Sequence, residues 1–474
     1  MLNTVEHVEV TAPDGVDQLG TVRPTAPAEV PAIVASAREA QPAWAERPVA
    51  ERAAILLEAA GRLEPQIEQL AELLAAESGK PLAQATAEVR GAVELLRANA
   101  ELARRWTGRV LPTEGNPGTE SDIAYTRREP LGVIAAVLPF NFPVELYVEK
   151  CAAALAGGNA VVVKPPIEDP LTVRRVHETL IAAGVPDDVA QLVHGDADVG
   201  AALAEADGID AVSLTGSTAA GISVARAGAP TLRRLHLELG GNNAALVLAD
   251  ADLELVVPEL EFGRLLMNGQ ACSASKRIVV DQSLHDELAA RLSEVAARQR
   301  VGSSLDPETT IGPLISAEAA AGVHSQVTAA IAAGSRLVAG QGRAEGPYFE
   351  PCVLADVPAE ADVAVDDEIF GPVFALIAVG DPSEALSVAN RSSFGLMSSV
   401  FTADLRLAVA LAERLQTGGV VINGTDNYRP AVIPFGGTKL SGTSREGAGY
   451  TLQELTREKT IVLRRFRASL EELL

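Results

Sequence analysis

The sequence predicts an α/β protein with two doubly wound parallel sheets, and three observations lead to this fold class. Residues 133–240 alternate short apolar runs with longer segments of helical periodicity. Runs such as VIAAVLPF and NAVVVKPP are apolar on both faces, which is typical of parallel strands covered by helices on each side. A second alternating series follows Gly241. Such alternation favours sheets that bind ligands beyond the carboxyl ends of their strands.

The flanking segments differ from this pattern. Residues 28–106 are predicted to be helical, since apolar residues recur there at intervals of three and four. We expect breaks in this helical run at Pro42, Pro48, Gly61 and Gly79.

The second α/β domain is predicted to span residues 241–448. A β-branched strand follows at residues 456–466, far in sequence from any strand that it could extend. Such an edge strand commonly pairs with another chain.

Composition excludes several classes of function. The chain has 39 Lys and Arg against 63 Asp and Glu, a net charge of −24, which argues against nucleic acid and anionic membranes as partners. Neither a signal peptide nor an apolar run of about 20 residues is visible. Three scattered cysteines favour a reducing cytoplasm over a disulfide framework. The six histidines show no ligand spacing, so no metal site is expected.

Among the cysteines, Cys272 stands apart because its surroundings, NGQACSASKR, are small or polar. Cys151 and Cys352 lie in apolar segments and are expected to fill the core. A thiol outside an apolar slot is a candidate nucleophile, since cysteine is the strongest intrinsic nucleophile near neutral pH.

Three further candidates stand at strand ends, each with a structural alternative. Asn141 is an oxyanion donor or a helix N-cap. Glu238 is a general base or an ordinary ion-paired carboxylate. Gly216 and Ser217 form a pyrophosphate cradle or a simple N-cap, and no GxGxxG fingerprint follows any predicted strand.

Taken together, these motifs resemble the aldehyde dehydrogenase superfamily over residues 28–466. The matching stretches occur in the family's order: PFNFPVELYVEKCAAALAGGNAVVVKPP, LTGSTAAG, LELGGNNAALVLADADLE, NGQACSASKRIVV, DEIFGPV and PFGGTKLSGTSREG. The resemblance implies an enzyme in which Cys272 attacks an aldehyde, Asn141 and the Cys272 backbone N–H hold the oxyanion, and Glu238 activates water. Lys150 and Glu446 match a proton-relay pair.

The resemblance also implies an NAD or NADP cofactor. The residues implied to bind it are Leu138, Pro139, Phe140, Lys164, Pro166, Gly195, Gly216, Ser217, Leu239, Gly240, Glu368 and Phe370. NAD-preferring members often carry Glu three residues beyond the lysine, where this chain has Ile167 followed by Glu168. A carboxylate there would bind the ribose 2′-hydroxyl and repel a 2′-phosphate. NADP use is therefore open, with NAD slightly favoured.

Domain organisation follows from the same resemblance. Residues 1–115 and 131–240 match the cofactor domain, and 241–448 match the catalytic domain. Residues 116–130 and 449–474 match a β oligomerisation arm and tail. The implied assembly is a homodimer or homotetramer, in which the strand 456–466 extends the partner's sheet.

The substrate is the least determined feature. Arg104, Arg105 and Arg429 offer guanidinium groups that suit carboxylate or phosphate, and Phe435 is a further candidate contact. The stretch GGVVINGTDNYRPAVIPFGG resembles the lactaldehyde, phosphonoacetaldehyde and non-phosphorylating glyceraldehyde-phosphate branch. A small anionic or hydroxylated aldehyde is one alternative, and a neutral aliphatic or aromatic aldehyde is the other. A CoA-acylating enzyme is disfavoured because Glu238 is present, and a non-catalytic binding protein because the catalytic residues are retained.

Overall fold

The N-terminal part of the chain is mainly helical in a computed structural model that describes residues 7–468 and 474. Its elements are β1 (Val8–Thr11), β2 (Gln18–Val22), α1 (Val30–Glu46), α2 (Val49–Leu63), α3 (Ile67–Ser78), α4 (Leu82–Arg104), β3 (Val110–Leu111) and β4 (Ile123–Pro130). Pro48 and Gly79 lie at helix ends as predicted. The expected breaks at Pro42 and Gly61 are wrong, since both residues lie inside continuous helices.

Tertiary contacts explain why α1 continues past its proline. The Gln41 side chain donates to the Gly158 carbonyl at 2.9 Å, and the Trp44 indole donates to the Leu155 carbonyl at 3.0 Å. These bonds anchor the C-terminal part of α1 to the end of the neighbouring helix. They compensate for the backbone hydrogen bond that the proline cannot donate.

A five-stranded parallel sheet, in the order β7-β6-β5-β8-β9, forms the first predicted α/β domain. Its elements are β5 (Val133–Val137), α5 (Pro143–Ala156), β6 (Ala160–Lys164), α6 (Pro170–Ala182), β7 (Ala190–Leu192), α7 (Ala197–Glu205), β8 (Ala211–Thr215), α8 (Thr218–Gly228) and β9 (Arg234–Glu238). Strands β5, β8 and β9 are adjacent and parallel, so their carboxyl ends meet at one edge.

A seven-stranded sheet, in the order β12-β15-β16-β11-β10-β18-β19, forms the second domain. All its pairs are parallel except β12 with β15. The elements of residues 241–448 are β10 (Asn243–Val247), α9 (Leu253–Leu265), β11 (Ser275–Asp281), α10 (Gln282–Arg298), α11 (Ala317–Ala332), β12 (Arg336–Ala339), β13 (Ala344–Glu345), β14 (Tyr348–Phe349), β15 (Cys352–Ala355), α12 (Asp362–Val365), β16 (Val373–Val379), α13 (Pro382–Asn390), β17 (Phe394–Gly395), β18 (Met397–Phe401), α14 (Leu405–Ala412), β19 (Gly419–Ile422) and β20 (Thr438–Lys439). Beyond them lie α15 (Tyr450–Glu454) and β21 (Thr456–Leu463). The predicted α/β fold with parallel sheets is confirmed.

A separate three-stranded sheet, in the order β21-β4-β3, contains the predicted arm and tail strand. Strand β21 pairs antiparallel with β4 of the same chain, from Thr456 opposite Pro130 to Leu463 opposite Ile123. Strand β21 therefore has a partner strand within its own chain. Its other edge pairs with no strand in the described ranges. The sheet also includes β3, which the sequence analysis assigned to the cofactor domain. Residues 1–6 and 469–473 of the predicted segments lie outside the described residues.

Candidate active site

Three neighbouring strand ends of the five-stranded sheet carry candidate residues. Asn141 follows β5, the Thr215–Ser217 turn follows β8, and Glu238 ends β9. Asn141 does not cap α5, because its N-cap is Phe142 and makes no side-chain capping bond. The Asn141 amide instead donates to the Gln270 carbonyl at 2.9 Å, beside the cysteine loop. The capping alternative for Asn141 is therefore excluded.

The loop that carries Cys272 is held in a left-handed turn. Met267 and Asn268 have φ of 53° and 57°, a conformation that most residues avoid. The Asn268 side chain maintains it by donating to the carbonyls of Gly79 and Pro313 at 2.9 Å and by accepting from Gly312 N–H at 2.8 Å. The position of the thiol is thus fixed by the surrounding backbone.

Two cavities meet at Cys272. A cleft of about 440 Å³ extends over the carboxyl edge of the five-stranded sheet, and a smaller cavity of about 180 Å³ lies beside it. They share four lining residues: Asn141, Thr215, Leu239 and Cys272. The thiol is accordingly accessible from both spaces.

Burial raises the pKa of the Cys272 thiol to about 11, although Lys276 and Arg429 oppose this shift electrostatically. The Lys276 ammonium donates to the carbonyls of Ala271 at 2.9 Å and Cys272 at 2.8 Å. It also pairs with Glu368 at 2.9 Å. Lys276 therefore links the cysteine loop to the larger cleft.

Glu238 is an exceptional carboxylate because it is only 2 % exposed and neither of its oxygens accepts a hydrogen bond from a described residue. Burial raises its pKa well above the ordinary value, and the negative charge of Glu446 raises it further. Buried carboxylates are normally paired. An unpaired one in the lining of the small cavity is available to a water or a ligand.

A buried charge network lies next to Glu238. Glu446 accepts from Lys150 and from Arg429, both at 2.7 Å, and from the Thr215 hydroxyl at 3.1 Å. Burial opposes its ionisation, but Lys150 and Arg429 hold the pKa of Glu446 at about 2. Glu446 is therefore ionised, and the predicted pair of Lys150 and Glu446 is in direct contact.

Most of the expected cofactor residues line the larger cleft: Leu138, Pro139, Phe140, Lys164, Pro166, Gly216, Ser217, Leu239, Gly240, Glu368 and Phe370. Gly195 is not among them. Val137, Leu214 and Ala220 also line the cleft but were not predicted to do so. All three lie at or near the strand and helix ends that form it. The Ser217 hydroxyl caps α8 by accepting from Ala220 N–H at 3.2 Å, so its capping alternative is realised at the cleft itself.

The predicted substrate residues separate in space. Arg429 and Phe435 line the small cavity, and the Arg429 guanidinium stacks 4.2 Å above the Phe435 ring. Arg104 and Arg105 are exposed and do not line this cavity. Glu145 also lines this cavity but was not predicted to do so. The signal in the sequence was a carboxylate in the first turn of a largely apolar helix.

Cys151 and Cys352 are fully buried, in agreement with their predicted core role. The described residues contain no cluster of three or more His, Cys, Asp or Glu side chains that could hold a metal ion. No helix in residues 7–468 is long and apolar enough to cross a membrane.

The Cys272 thiol thus lies between a long cleft and a small cavity. A profile of the aldehyde dehydrogenase family matches residues 2–461. Aspartate-semialdehyde dehydrogenase 1 of Pseudomonas canavaninivorans is 34 % identical over 96 % of each chain, and a betaine aldehyde dehydrogenase of Cereibacter sphaeroides is 36 % identical over 96 % of this chain and 93 % of its own.

Among solved structures, the NADP-dependent glyceraldehyde-3-phosphate dehydrogenase of Bacillus halodurans in complex with NADP has a TM-score of 0.94 at 35 % identity. That match covers 98 % of this chain and 96 % of the other. The chain therefore belongs to the aldehyde dehydrogenase family and is an NAD(P)-dependent oxidoreductase.

Proposed function

We propose that this enzyme oxidises an aldehyde to the carboxylic acid through a thioester on Cys272, which a water activated by Glu238 hydrolyses. The observation that carries the proposal is the unpaired, buried Glu238 carboxylate in the same cavity wall as the thiol. A covalent carrier, an oxyanion hole and a water-activating base supply this chemistry apart from the hydride acceptor, which bound NAD(P) would provide.

In the first step the Cys272 thiol releases its proton to solvent water, its sulfur adds to the carbonyl carbon, and the carbonyl oxygen becomes an oxyanion. Asn141 Nδ2 has one hydrogen left after its bond to Gln270, and the Cys272 backbone N–H donates to no described residue. Both are available to stabilise that oxyanion. When bound, NAD(P) accepts the hydride that leaves this carbon, which produces the thioester.

In the second step Glu238 takes a proton from water, the hydroxide adds to the thioester carbon, and the carbon–sulfur bond breaks. The products are the carboxylic acid and the Cys272 thiolate, which regains a proton from solvent water. We propose that Glu446 and Lys150 carry the proton away from Glu238, because the charge of Glu446 acts directly on Glu238. The thiol begins the next cycle unmodified.

The larger cleft suits a dinucleotide. Gly240 allows Glu368 to lie against this part of the cleft wall, because a Cβ there would lie 2.3 Å from a Glu368 carboxylate oxygen. We propose that the α8 N-terminus at Gly216 and Ser217 holds the pyrophosphate, that Lys164 binds the adenosine ribose, and that Glu368 binds the nicotinamide ribose.

NAD is the proposed cofactor in preference to NADP. Ile167 packs in an apolar cluster, whereas the exposed Glu168 lines the cleft. Glu168, Asp196 and Asp198 lie close enough to Lys164 to counter the lowering of its pKa by burial. This negative field disfavours a 2′-phosphate.

Oxidation is tested by following nicotinamide reduction with a panel of aldehydes, with and without CoA, and with Cys272→Ala as the control. Turnover without CoA that the substitution abolishes is expected. Turnover only with CoA would show that Glu238 does not serve as the deacylating base, and retention of activity by Cys272→Ala would refute the thioester.

We also propose that the enzyme is a cytoplasmic homodimer or homotetramer that associates through the free edge of β21. Its three cysteines are free thiols, which agrees with a reducing compartment. Light scattering after size-exclusion chromatography measures the assembly, and a monomer at micromolar concentration would contradict it.

A further inference from the structure

Glu145 introduces a carboxylate into the small cavity that the proposed chemistry does not use. It occupies the first turn of α5 and lines the cavity together with Cys272. No hydrogen bond or ion pair joins its side chain to a described residue, and the charge of Arg429 acts on it without such a contact. Burial raises the pKa of Glu145 accordingly.

Capping of α5 does not explain this residue. A Glu at the third helical position commonly reaches back to cap its own helix. Here Glu88 performs that task from α4, since it accepts from the backbone N–H groups of Val144 at 3.0 Å and Glu145 at 3.2 Å. Glu88 is itself paired with Lys80. The Glu145 side chain is therefore left free to face the cavity.

The charges around the cavity are unbalanced. Glu145, Glu238 and Glu446 line it, whereas Arg429 is its only basic lining residue among the described residues. Arg429 is already paired with Glu446 at 2.7 Å. Burial raises the pKa of both Glu145 and Glu238, and a cation bound beside Glu145 would stabilise its ionised form, whereas an anion would disfavour it.

We propose that the substrate is a small aldehyde that carries a positively charged nitrogen, and that Glu145 binds this nitrogen while the carbonyl lies at Cys272. The assignment rests on the proposed function and specifies its substrate class. The cavity volume of about 180 Å³ suits a short chain. Lining by Phe142 and Phe435 adds aromatic surface, which is favourable for cations.

The test compares kcat/KM for 3-aminopropanal, butanal and succinate semialdehyde. The first two differ only in an ammonium in place of a methyl group, and the third carries a carboxylate. We expect the wild-type enzyme to favour 3-aminopropanal over butanal by about tenfold or more, mainly through KM, as is reasonable for a desolvated charge pair.

Glu145→Gln should reduce that ratio towards one, mainly through a higher KM for 3-aminopropanal, because only the charge is removed. Glu145→Asp, which keeps the charge, should retain the preference. Glu51→Gln is the matched control, since Glu51 is an exposed first-turn residue of α2 far from the cavity lining.

An equal ratio in the wild type and Glu145→Gln, or a wild-type preference for succinate semialdehyde, would overturn the assignment but leave aldehyde oxidation intact. Butanal turnover by each variant shows that it is folded. If the wild-type enzyme oxidises none of the three aldehydes and Cys272→Ala behaves in the same way, both the substrate class and the proposed function are overturned.

Discussion

Substitution of Glu238 by Gln separates the two halves of the proposed reaction. The change keeps the shape of the side chain, and the carboxylate has no hydrogen bond to a described residue that could be lost. The lost contribution is therefore that of a general base, for which about 10²–10⁴-fold in rate is typical. We expect kcat to fall by that factor because hydrolysis of the thioester becomes limiting.

Stopped-flow absorbance of the reduced nicotinamide is the appropriate assay. Formation of the thioester does not require the base that deprotonates water. Glu238→Gln should therefore still give a burst of about one equivalent of reduced nicotinamide per site before the slow phase. The absence of a burst together with a lowered kcat would show that Glu238 acts before hydride transfer. An unchanged kcat would refute the role altogether.

The same variant makes a prediction about stability. The raised pKa of Glu238 means that the folded protein binds this proton more tightly than the unfolded chain, whose ordinary value is 4.5. The wild type therefore loses stability as the pH rises from the unfolded pKa through the folded one. We expect the Tm of Glu238→Gln to exceed that of the wild type increasingly between about pH 5 and about pH 8.

Three further predictions concern the thiol and the cleft. The rate at which iodoacetamide alkylates Cys272 in the cofactor-free enzyme should rise up to about pH 10, because the thiol pKa is about 11. Peptide mass spectrometry measures this rate, and a plateau near pH 7 would contradict the prediction. Glu168→Gln should raise the NADP-to-NAD ratio of kcat/KM several-fold, and an unchanged ratio would exclude Glu168 from cofactor selection. Gly240→Ala should weaken cofactor binding about tenfold in a fluorescence titration, whereas Gly61→Ala, whose Cβ meets no atom, should not.

The sequence predicts the regular part of the fold because parallel strands leave a strong local signal. Apolar runs mark β5 and β6, and both strands lie where expected. The errors fall where tertiary contacts outweigh local preference. Pro42 remains in α1 because the neighbouring helix holds the turn around it, and Gly61 is accommodated in α2 at a cost of about 1 kcal/mol.

The residues of the site likewise differ in how well the sequence predicts them. Cys272, Asn141 and Glu238 are recognisable because each stands at an element end with unusual neighbours, and the structure brings them together. Arg105 could not be placed from sequence, since an arginine near a helix end is compatible with either a cavity or solvent. Glu145 was missed because its significance depends on Glu88, which caps the helix from a distant segment of the chain.

The meeting of two cavities at one sulfur has a consequence for inhibition. A compound that fills only the small cavity competes with the aldehyde without occupying the dinucleotide's space, so the kinetic pattern against each ligand reveals which compartment it uses. A molecule that spans both must pass the Cys272 thiol. The junction of the two cavities thus contains the thiol, so an electrophile placed between two recognition groups would be delivered to its target.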